Sequence, residues 1–120
     1  ALLEAGCAIV RSNVRVPRSG VSVAFLAVSS HGTECYVDVV GPFTTNRGGL
    51  SRAETVWRTV GRAAAARAVA PEHPYLVLST DLPRAGTDPA LTLQASIPSP
   101  IAAVVDVFDP ESRRQLLDLR

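Results

Sequence analysis

Three apolar runs in the first 41 residues, each bounded by polar or glycine residues, predict three consecutive β-strands. The first covers Cys7–Arg11 and continues, after a bend at Asn13, through Val14–Val16, where polar and apolar residues alternate. Val21–Val28 is almost continuously apolar, which is typical of a strand covered on both faces. Cys35–Val40 is the third run. Because short links join these runs, we expect them to pair as antiparallel neighbours.

A long helix is predicted to follow the third strand. Ser51 and Glu54 match a capping box, in which the serine side chain accepts from the amide three residues on and the glutamate reaches back. The helix is expected to continue to Val69 and to end before Pro71. Its predicted apolar stripe consists of Val56, Trp57, Val60, Ala64 and Ala68.

The remaining segments alternate between strand and helix patterns. Tyr75–Thr80 and Ile101–Phe108 are predicted strands. Asp88 and Pro89 are expected to begin a short helix between them, with the aspartate as the N-cap and the proline in the first turn. Asp109 and the following proline repeat this pattern before a final helix, and residues 1–6 resemble the last turns of a helix that ends at a glycine.

The predicted order of elements is therefore α-β-β-β-α-β followed by α-β-α. Strands that follow a helix are reached by crossovers, so the later strands should lie parallel to their neighbours. We expect one α/β domain over residues 1–120, with a mixed central sheet, an αβββαβ core and helices on both faces of the sheet. A chain of 120 residues with 47% hydrophobic residues suffices for one such core.

Composition restricts the chemistry more than it identifies it. All twelve basic residues are arginines and the formal net charge is +1, so lysine chemistry is excluded and there is no global electrostatic attraction to nucleic acid. Cys7 and Cys35 have no metal or redox spacing and are expected to be small buried residues. We expect no membrane span and no signal peptide at the start of the sequence, and hence a cytoplasmic protein.

The first 41 residues also resemble the restriction-endonuclease-like superfamily, known as the PD-(D/E)XK nucleases. The opening EAGCAIVRSNVRV is similar to that family's first helix and strand, and Glu4 matches an acid often found on the helix. The family's third strand usually reads apolar residue, acid, any residue, lysine, then glycine. Here Asp38 matches the acid and Gly41 the glycine, but Val40 stands at the lysine. The second strand usually carries a metal-binding aspartate, where this chain has Ala24 or a neighbour.

This resemblance implies Mg²⁺ as a cofactor, held by Asp38 and Glu4 as catalytic and metal-binding residues. The missing lysine and second aspartate imply that catalysis is lost or altered. An arginine such as Arg58 or Arg62 would supply a substitute charge but not a base. The alternative for Asp38 is a side chain that faces solvent or pairs with Arg52 or Arg58, and the alternative for Glu4 is an exposed residue at a helix end.

The loop before the long helix is a candidate anion site. Free amides at a helix N-terminus attract anions, glycines permit close approach, and arginines add charge. The candidate nucleic-acid-binding residues are Arg47, Gly48, Gly49, Ser51, Arg52 and Arg58. The alternative is an ordinary loop before a well-capped helix.

Three other side chains have two interpretations each. Trp57 is able to stack on a base but is more often a core residue at such a position. His31 and His73 have no Cys, Asp or Ser partner at a telling spacing, and we expect both to be solvated. No serine hydrolase set, zinc site or dinucleotide loop is recognisable.

Three hypotheses of function follow. The first is a nuclease-like domain with a degenerate site that binds nucleic acid or a protein partner. The second is an active Mg²⁺-dependent DNA endonuclease with an atypical site. The third is a purely structural protein-interaction domain.

Overall fold

The computed structural model describes residues 8–28, 32–40, 53–79 and 82–106, which form five strands and two helices. The strands are β1 (Ala8–Val16), β2 (Val21–Val28), β3 (Glu34–Val40), β4 (Tyr75–Ser79) and β5 (Ala103–Asp106). The helices are α1 (Ala53–Val69), between β3 and β4, and α2 (Asp88–Ala95), between β4 and β5. The predicted helices at the two ends of the chain lie outside the described residues.

The sheet is mixed, as the sequence predicts. Its strands lie in the order β1-β2-β3-β4-β5, with antiparallel pairing from β1 to β3 and parallel pairing from β3 to β5. Strand β3 is central and β4 lies beside it. The short links from β1 to β3 permit only antiparallel pairing, whereas each helix carries the chain back across the sheet so that the next strand is parallel.

The two faces of the sheet have different cores. Tyr75 and Val77 pack with α1 and α2, whereas Leu76 and Leu78 join a second buried cluster with Val37 on the opposite face. Both described helices therefore lie on the same face, as expected when two right-handed crossovers add strands in the same direction. The prediction of helices on both faces concerns segments beyond the described residues.

The phase of helix α1 differs from the predicted stripe. Its buried residues include Val56, Ala63 and Ala66, whereas Trp57 is 64% exposed and Ala64 and Ala68 are also exposed. The prediction of Trp57 as a core residue is wrong. Small alanines let the helix lie close to the sheet, so the helix turns its alanine-rich side inward and its large ring outward. The buried face also includes Thr55 and Thr59, where the Thr59 hydroxyl donates to the Thr55 carbonyl at 2.7 Å.

The β1–β2 hairpin changes the alternation of its side chains. Val21 and Val23 join the core on the helix side, whereas Phe25 and Ala27 join the opposite cluster. On the paired strand Asn13 has a φ of 52°, in the left-handed region that asparagine tolerates better than most residues. Asn13 lies within one continuous strand and the pairing register is unchanged across it, whereas the register shift of β1 lies between Ile9 and Arg11, so a bend at Asn13 stays a prediction.

The start of α2 also differs from its prediction. Thr87, not Asp88, is the N-cap residue, and Asp88 is the first residue of the helix. The Thr87 side chain makes no capping hydrogen bond; it donates to the Arg84 carbonyl at 2.6 Å. Asp88 instead places a negative charge in the first turn, where the helix dipole favours it.

Candidate functional site

Asp38 lies at the centre of the sheet and is almost completely buried. It occupies the middle of β3, points to the face that carries α1, and is 7% exposed. A carboxylate at such a position needs compensating donors because burying an unpaired charge is strongly unfavourable. Two side chains supply them, and we call Asp38, Arg62 and Tyr75 together the Asp38 cluster.

Tyr75 provides the shorter of the two contacts. Its hydroxyl donates to Asp38 Oδ2 at 2.6 Å from the first position of the adjacent parallel strand β4. Burial first, and then the charge and hydrogen bond of Asp38, raise the pKa of the Tyr75 hydroxyl far above its ordinary value of 10.0. Tyr75 is therefore a neutral donor at any physiological pH.

Arg62 provides the second contact and a link to β2. Its Nε donates to the same Asp38 oxygen at 3.1 Å, and its Nη2 donates to the carbonyl of Ser22. Burial lowers the pKa of the Arg62 guanidinium, but the charge and hydrogen bond of Asp38, with the smaller contributions of Tyr75, outweigh burial, so the pKa is raised. The Asp38 cluster thus joins α1 to β2, β3 and β4 by charge-assisted hydrogen bonds.

The described residues do not fit a Mg²⁺ site. Asp38 Oδ2 already accepts two hydrogen bonds, and β2 has the half-buried Ala24 and Phe25 where the resemblance implies an aspartate. Within the ranges that the structure describes, no three His, Cys, Asp or Glu side chains come together to hold a metal ion. Magnesium prefers several oxygen ligands in octahedral geometry, which this cluster of donors does not offer.

Most of the predicted nucleic-acid residues lie outside the described residues. Asp38 is described, but Glu4 is not, so the predicted pairing of these two acids stays a prediction. The same holds for Arg47, Gly48, Gly49, Ser51 and Arg52. Arg58 is described and is exposed on α1, next to the exposed Trp57.

The sequence suggested Arg62 only as a substitute charge and missed Tyr75. The structure pairs Asp38 with Arg62, whereas the sequence suggested Arg52 or Arg58 as its partner. Tyr75 follows a proline at the start of a strand, and nothing local marks it. The one signal is that Asp38 and Tyr75 are polar residues on two neighbouring, largely apolar strands, and it predicts a contact between them only once the pairing register is known.

His73 is less exposed and better connected than the sequence suggested. Its Nδ1 lies 3.2 Å from the Glu34 carbonyl and its Nε2 lies 3.5 Å from a Glu72 carboxylate oxygen. The ring also meets the edge of Tyr36 at a centroid distance of 5.3 Å. The expectation of a solvated ring is wrong in part, because the side chain is 23% exposed and has these contacts, none of which is to a Cys, Asp or Ser side chain. Burial, and then the charges of Glu72 and Glu34, raise the pKa of Tyr36.

One apolar pocket lies beside α2. It has a volume of about 210 Å³, and Gln94 is the one polar residue among the eight that line it, which include Leu82, Leu93 and Ile97. No titratable group lines it, so it offers room for an apolar group but no acid–base chemistry. Cys35 is buried, as the sequence predicts, and its thiol donates to the Thr33 carbonyl at 3.7 Å, whereas Cys7 lies outside the described residues.

Neither helix among the described residues is long and apolar enough to span a membrane. Comparisons of the chain with models of protein families, with curated proteins and with solved structures found no match. Geometry and sequence pattern are therefore the grounds for a function.

Proposed function

We propose that this chain is a nuclease-like domain that has lost catalysis and binds nucleic acid. The observation that carries the proposal is the engagement of Asp38. The acid that the resemblance assigns to Mg²⁺ instead accepts hydrogen bonds from Tyr75 and Arg62. A carboxylate with these donors has a structural role in the fold, and its Oδ2 would have to give up both hydrogen bonds before it could bind a metal ion.

The order of elements supports the nuclease-like part of the proposal. Strands β1, β2 and β3, helix α1 and strand β4 follow one another as the resemblance implies, and β4 lies parallel to β3. This agreement concerns architecture, and many folds carry several functions. The choice of ligand therefore depends on the surface of the domain.

Trp57 is the described side chain best suited to contact a base. Its ring is 64% exposed on α1, next to Arg58 and in the helix that follows the candidate anion loop. An exposed large aromatic ring offers a surface for base stacking, which tolerates any sequence, and the arginine that follows it in the sequence adds positive charge to the same helix. We expect Trp57 and Arg58 to contact nucleic acid together.

The test uses Trp57 as its own probe, because it is the single tryptophan of the chain. Tryptophan fluorescence is followed while single-stranded or duplex DNA is added at low salt with Mg²⁺, and the same samples are then analysed for cleavage. The proposal expects quenching on binding, weaker binding by Trp57→Ala by roughly 5- to 150-fold from lost stacking, and intact DNA. That variant, which has no tryptophan, is measured with labelled DNA.

Leu91→Ala is the matched control, because Leu91 is an apolar residue on α2 that is 55% exposed. It should bind as the wild type does. If the wild type binds neither form of DNA, the nucleic-acid part of the proposal is wrong. If DNA is cut and the cutting disappears in Asp38→Ala, the loss of catalysis is wrong and the domain is an active nuclease with an atypical site.

A protein-interaction domain is the second candidate, and the apolar pocket beside α2 favours it. Leu82 and Ile97 line that pocket and are themselves exposed, and the exposed Leu91 lies on the same helix. Apolar pockets of this kind receive anchor side chains at protein interfaces. Failure of DNA binding together with loss of a partner in Leu91→Arg would support this candidate.

A further inference from the structure

The acidic and basic residues of this chain are unevenly distributed. Residues 5–33 contain three arginines and no Asp or Glu. All eleven acidic residues and the other nine arginines lie elsewhere, so this segment carries +3 and the rest of the chain −2. The nearly neutral total therefore conceals a local positive region, which coincides with the β1–β2 hairpin.

The three arginines, Arg11, Arg15 and Arg18, are all exposed, and we call them the hairpin arginines. Two of them lie on β1, which is an edge strand of the five-stranded sheet, and the third lies in the turn to β2. The first six residues of β1 are exposed, and Ser12 and Asn13 add polar groups among the arginines. This surface is positive, it includes the exposed apolar side chains of Ile9 and Val10, and neither described helix covers it.

The arginines of β1 point to opposite faces of the strand. Arg11 pairs with Leu26, whose side chain packs on the helix side of the sheet, so Arg11 lies on that side. Arg15 stands between Val14 and Val16, whose side chains fill the core on the helix side, so Arg15 lies on the opposite side. At 3.3 Å per residue the two Cα atoms are at most about 13 Å apart. That distance is close to four steps of about 3.4 Å between phosphates, but the two side chains leave the strand on opposite faces, so a nucleic acid meets both only by running along the open edge of β1.

The turn holds Arg18 in an unfavourable conformation. Val16, Pro17, Arg18 and Ser19 form a type II turn, in which the Ser19 amide donates to the Val16 carbonyl at 3.3 Å. Arg18 occupies the position of that turn where glycine is preferred, and its φ is 63°. The Ser19 hydroxyl, which donates to Val16 and accepts from the Val21 amide, holds the turn in this shape. A strained arginine at an exposed tip motivates a functional explanation.

We propose that the β1–β2 hairpin binds the phosphate backbone of nucleic acid through the hairpin arginines. This inference rests on the proposed function and specifies where its electrostatic contact lies. Arginine suits the task because its planar guanidinium forks onto phosphate oxygens and stays protonated. The ligand is defined by its chain of phosphates, which duplex DNA, single-stranded DNA and duplex RNA share.

The test is the salt dependence of binding. Affinity for each of the three nucleic acids is measured at several salt concentrations for the wild type and for the triple variant Arg11→Gln, Arg15→Gln, Arg18→Gln. Each lost phosphate contact lowers the slope of log affinity against log salt by about 0.9 on duplex DNA and about 0.7 on a single strand. The triple variant should therefore lose about 2.7 from the slope on duplex DNA.

Two controls separate charge from folding and from general electrostatics. A triple variant with lysine at the same three positions keeps the charges and should keep the wild-type slope. Arg84→Gln removes an exposed arginine between β4 and α2, far along the chain from the hairpin, and should change the slope little. Circular dichroism of all variants shows whether each one has the wild-type fold.

The outcomes distinguish this inference from the proposed function. If the wild type binds and the glutamine variant keeps its slope while Trp57→Ala loses affinity, the hairpin inference is overturned and the proposed function stands. If the wild type binds none of the three nucleic acids, both are overturned. A loss of slope that the lysine variant restores, on any of the three nucleic acids, supports the hairpin, and the affected ligands identify the form it binds.

Discussion

The Tyr75 hydroxyl donates to Asp38 Oδ2 at 2.6 Å, between residues that are 37 positions apart in the chain. The same oxygen accepts from Arg62 on α1, so one carboxylate oxygen connects the central strands of the sheet with the helix above them. The two contacts give the buried acid a structural explanation. They also place three polar groups in the core whose contributions to stability are measurable separately.

Asp38→Asn should destabilise the fold. The substitution keeps the size of the side chain but leaves Arg62 without its counterion, and hydrogen bonds to charged groups contribute roughly 1.5–3 kcal/mol. The Arg62 side chain is 34% exposed, so water partly compensates, and we expect a loss of about 1–2 kcal/mol. Urea unfolding should show a lower midpoint at an unchanged m value.

Asp88→Asn is the control for this measurement, because Asp88 is exposed in the first turn of α2. Its effect should stay within about 0.5 kcal/mol. An Asp38→Asn variant that is more stable than the wild type would contradict the structural role. Such a gain is what a carboxylate retained for ligand binding at the expense of stability would give.

Alkaline pH should unfold the domain through its two tyrosines. An unfolded tyrosine has a pKa of about 10, and in the folded chain the pKa of both Tyr36 and Tyr75 is raised. The folded state thus holds these protons more tightly. The resulting stabilisation is fully present below pH about 10 and is lost as the pH rises above that value.

Absorbance of tyrosinate and circular dichroism, followed together from pH 8 upward, check this expectation. Tyrosinate should appear along with unfolding, because Tyr36 and Tyr75 are the two tyrosines of the chain. Tyr75→Phe should halve the absorbance change and lessen the loss of stability at alkaline pH. Full ionisation of both tyrosines near pH 10 in a folded chain would refute the prediction.

Strand order was predictable from sequence because it follows from the lengths of the links. Two short links and two helical crossovers dictate the antiparallel and parallel pairs, whatever the side chains do. The partner of Asp38 was not predictable in the same way. It depends on the register between β3 and β4 and on the rotation of α1 about its axis. A shift of the register by one residue, or a rotation of the helix by one residue, replaces one set of contacts with another.

The rotation of α1 illustrates the difficulty. Counting large apolar residues assigned Trp57 to the core, whereas the helix buries Thr55, Thr59 and alanines instead. Threonine and alanine are weak indicators of burial, and an alanine-rich helix has nearly equivalent faces. Tertiary packing against a flat, valine-rich sheet then selects the face with small side chains, and local sequence does not reveal that choice.

Substitutions at two neighbouring positions on α1 should therefore differ greatly in their effect on stability. Val56 is fully buried, and truncation to alanine should cost about 2 kcal/mol from lost burial and the cavity left behind. Trp57→Ala removes a much larger side chain but should change stability by less than about 0.5 kcal/mol, since the ring is exposed. Urea unfolding of both variants decides the phase of the helix, and a large loss with Trp57→Ala would show that the predicted stripe was correct.

The purified chain should not cut DNA in the presence of Mg²⁺ or Mn²⁺. There is no lysine to position water, the second strand has Ala24 and Phe25 where an acid is required, and Asp38 is engaged by two donors. Incubation with duplex and single-stranded DNA, followed by electrophoresis, checks this. Tyr75→Phe, which removes one of the two donors to Asp38, should be equally inactive, and metal-dependent cutting by either protein would require a site built in another way.

Arg18→Gly should make the domain more stable and its binding weaker. Left-handed backbone costs a non-glycine residue roughly 1–2 kcal/mol, and glycine loses part of that advantage through its larger unfolded-state entropy, about 0.5–1 kcal/mol. With a φ of 63° at Arg18, we expect a net gain of about 0.5–1 kcal/mol. The lost charge should lower the salt slope on duplex DNA by about 0.9.

Arg18→Ala separates the two effects, because it loses the same charge but keeps the strained backbone and should gain no stability. Urea midpoints and salt slopes of the two variants are the measurements. Equal stability of both would show that the turn does not strain Arg18, and a wild-type slope in both would show that this arginine does not contact phosphate.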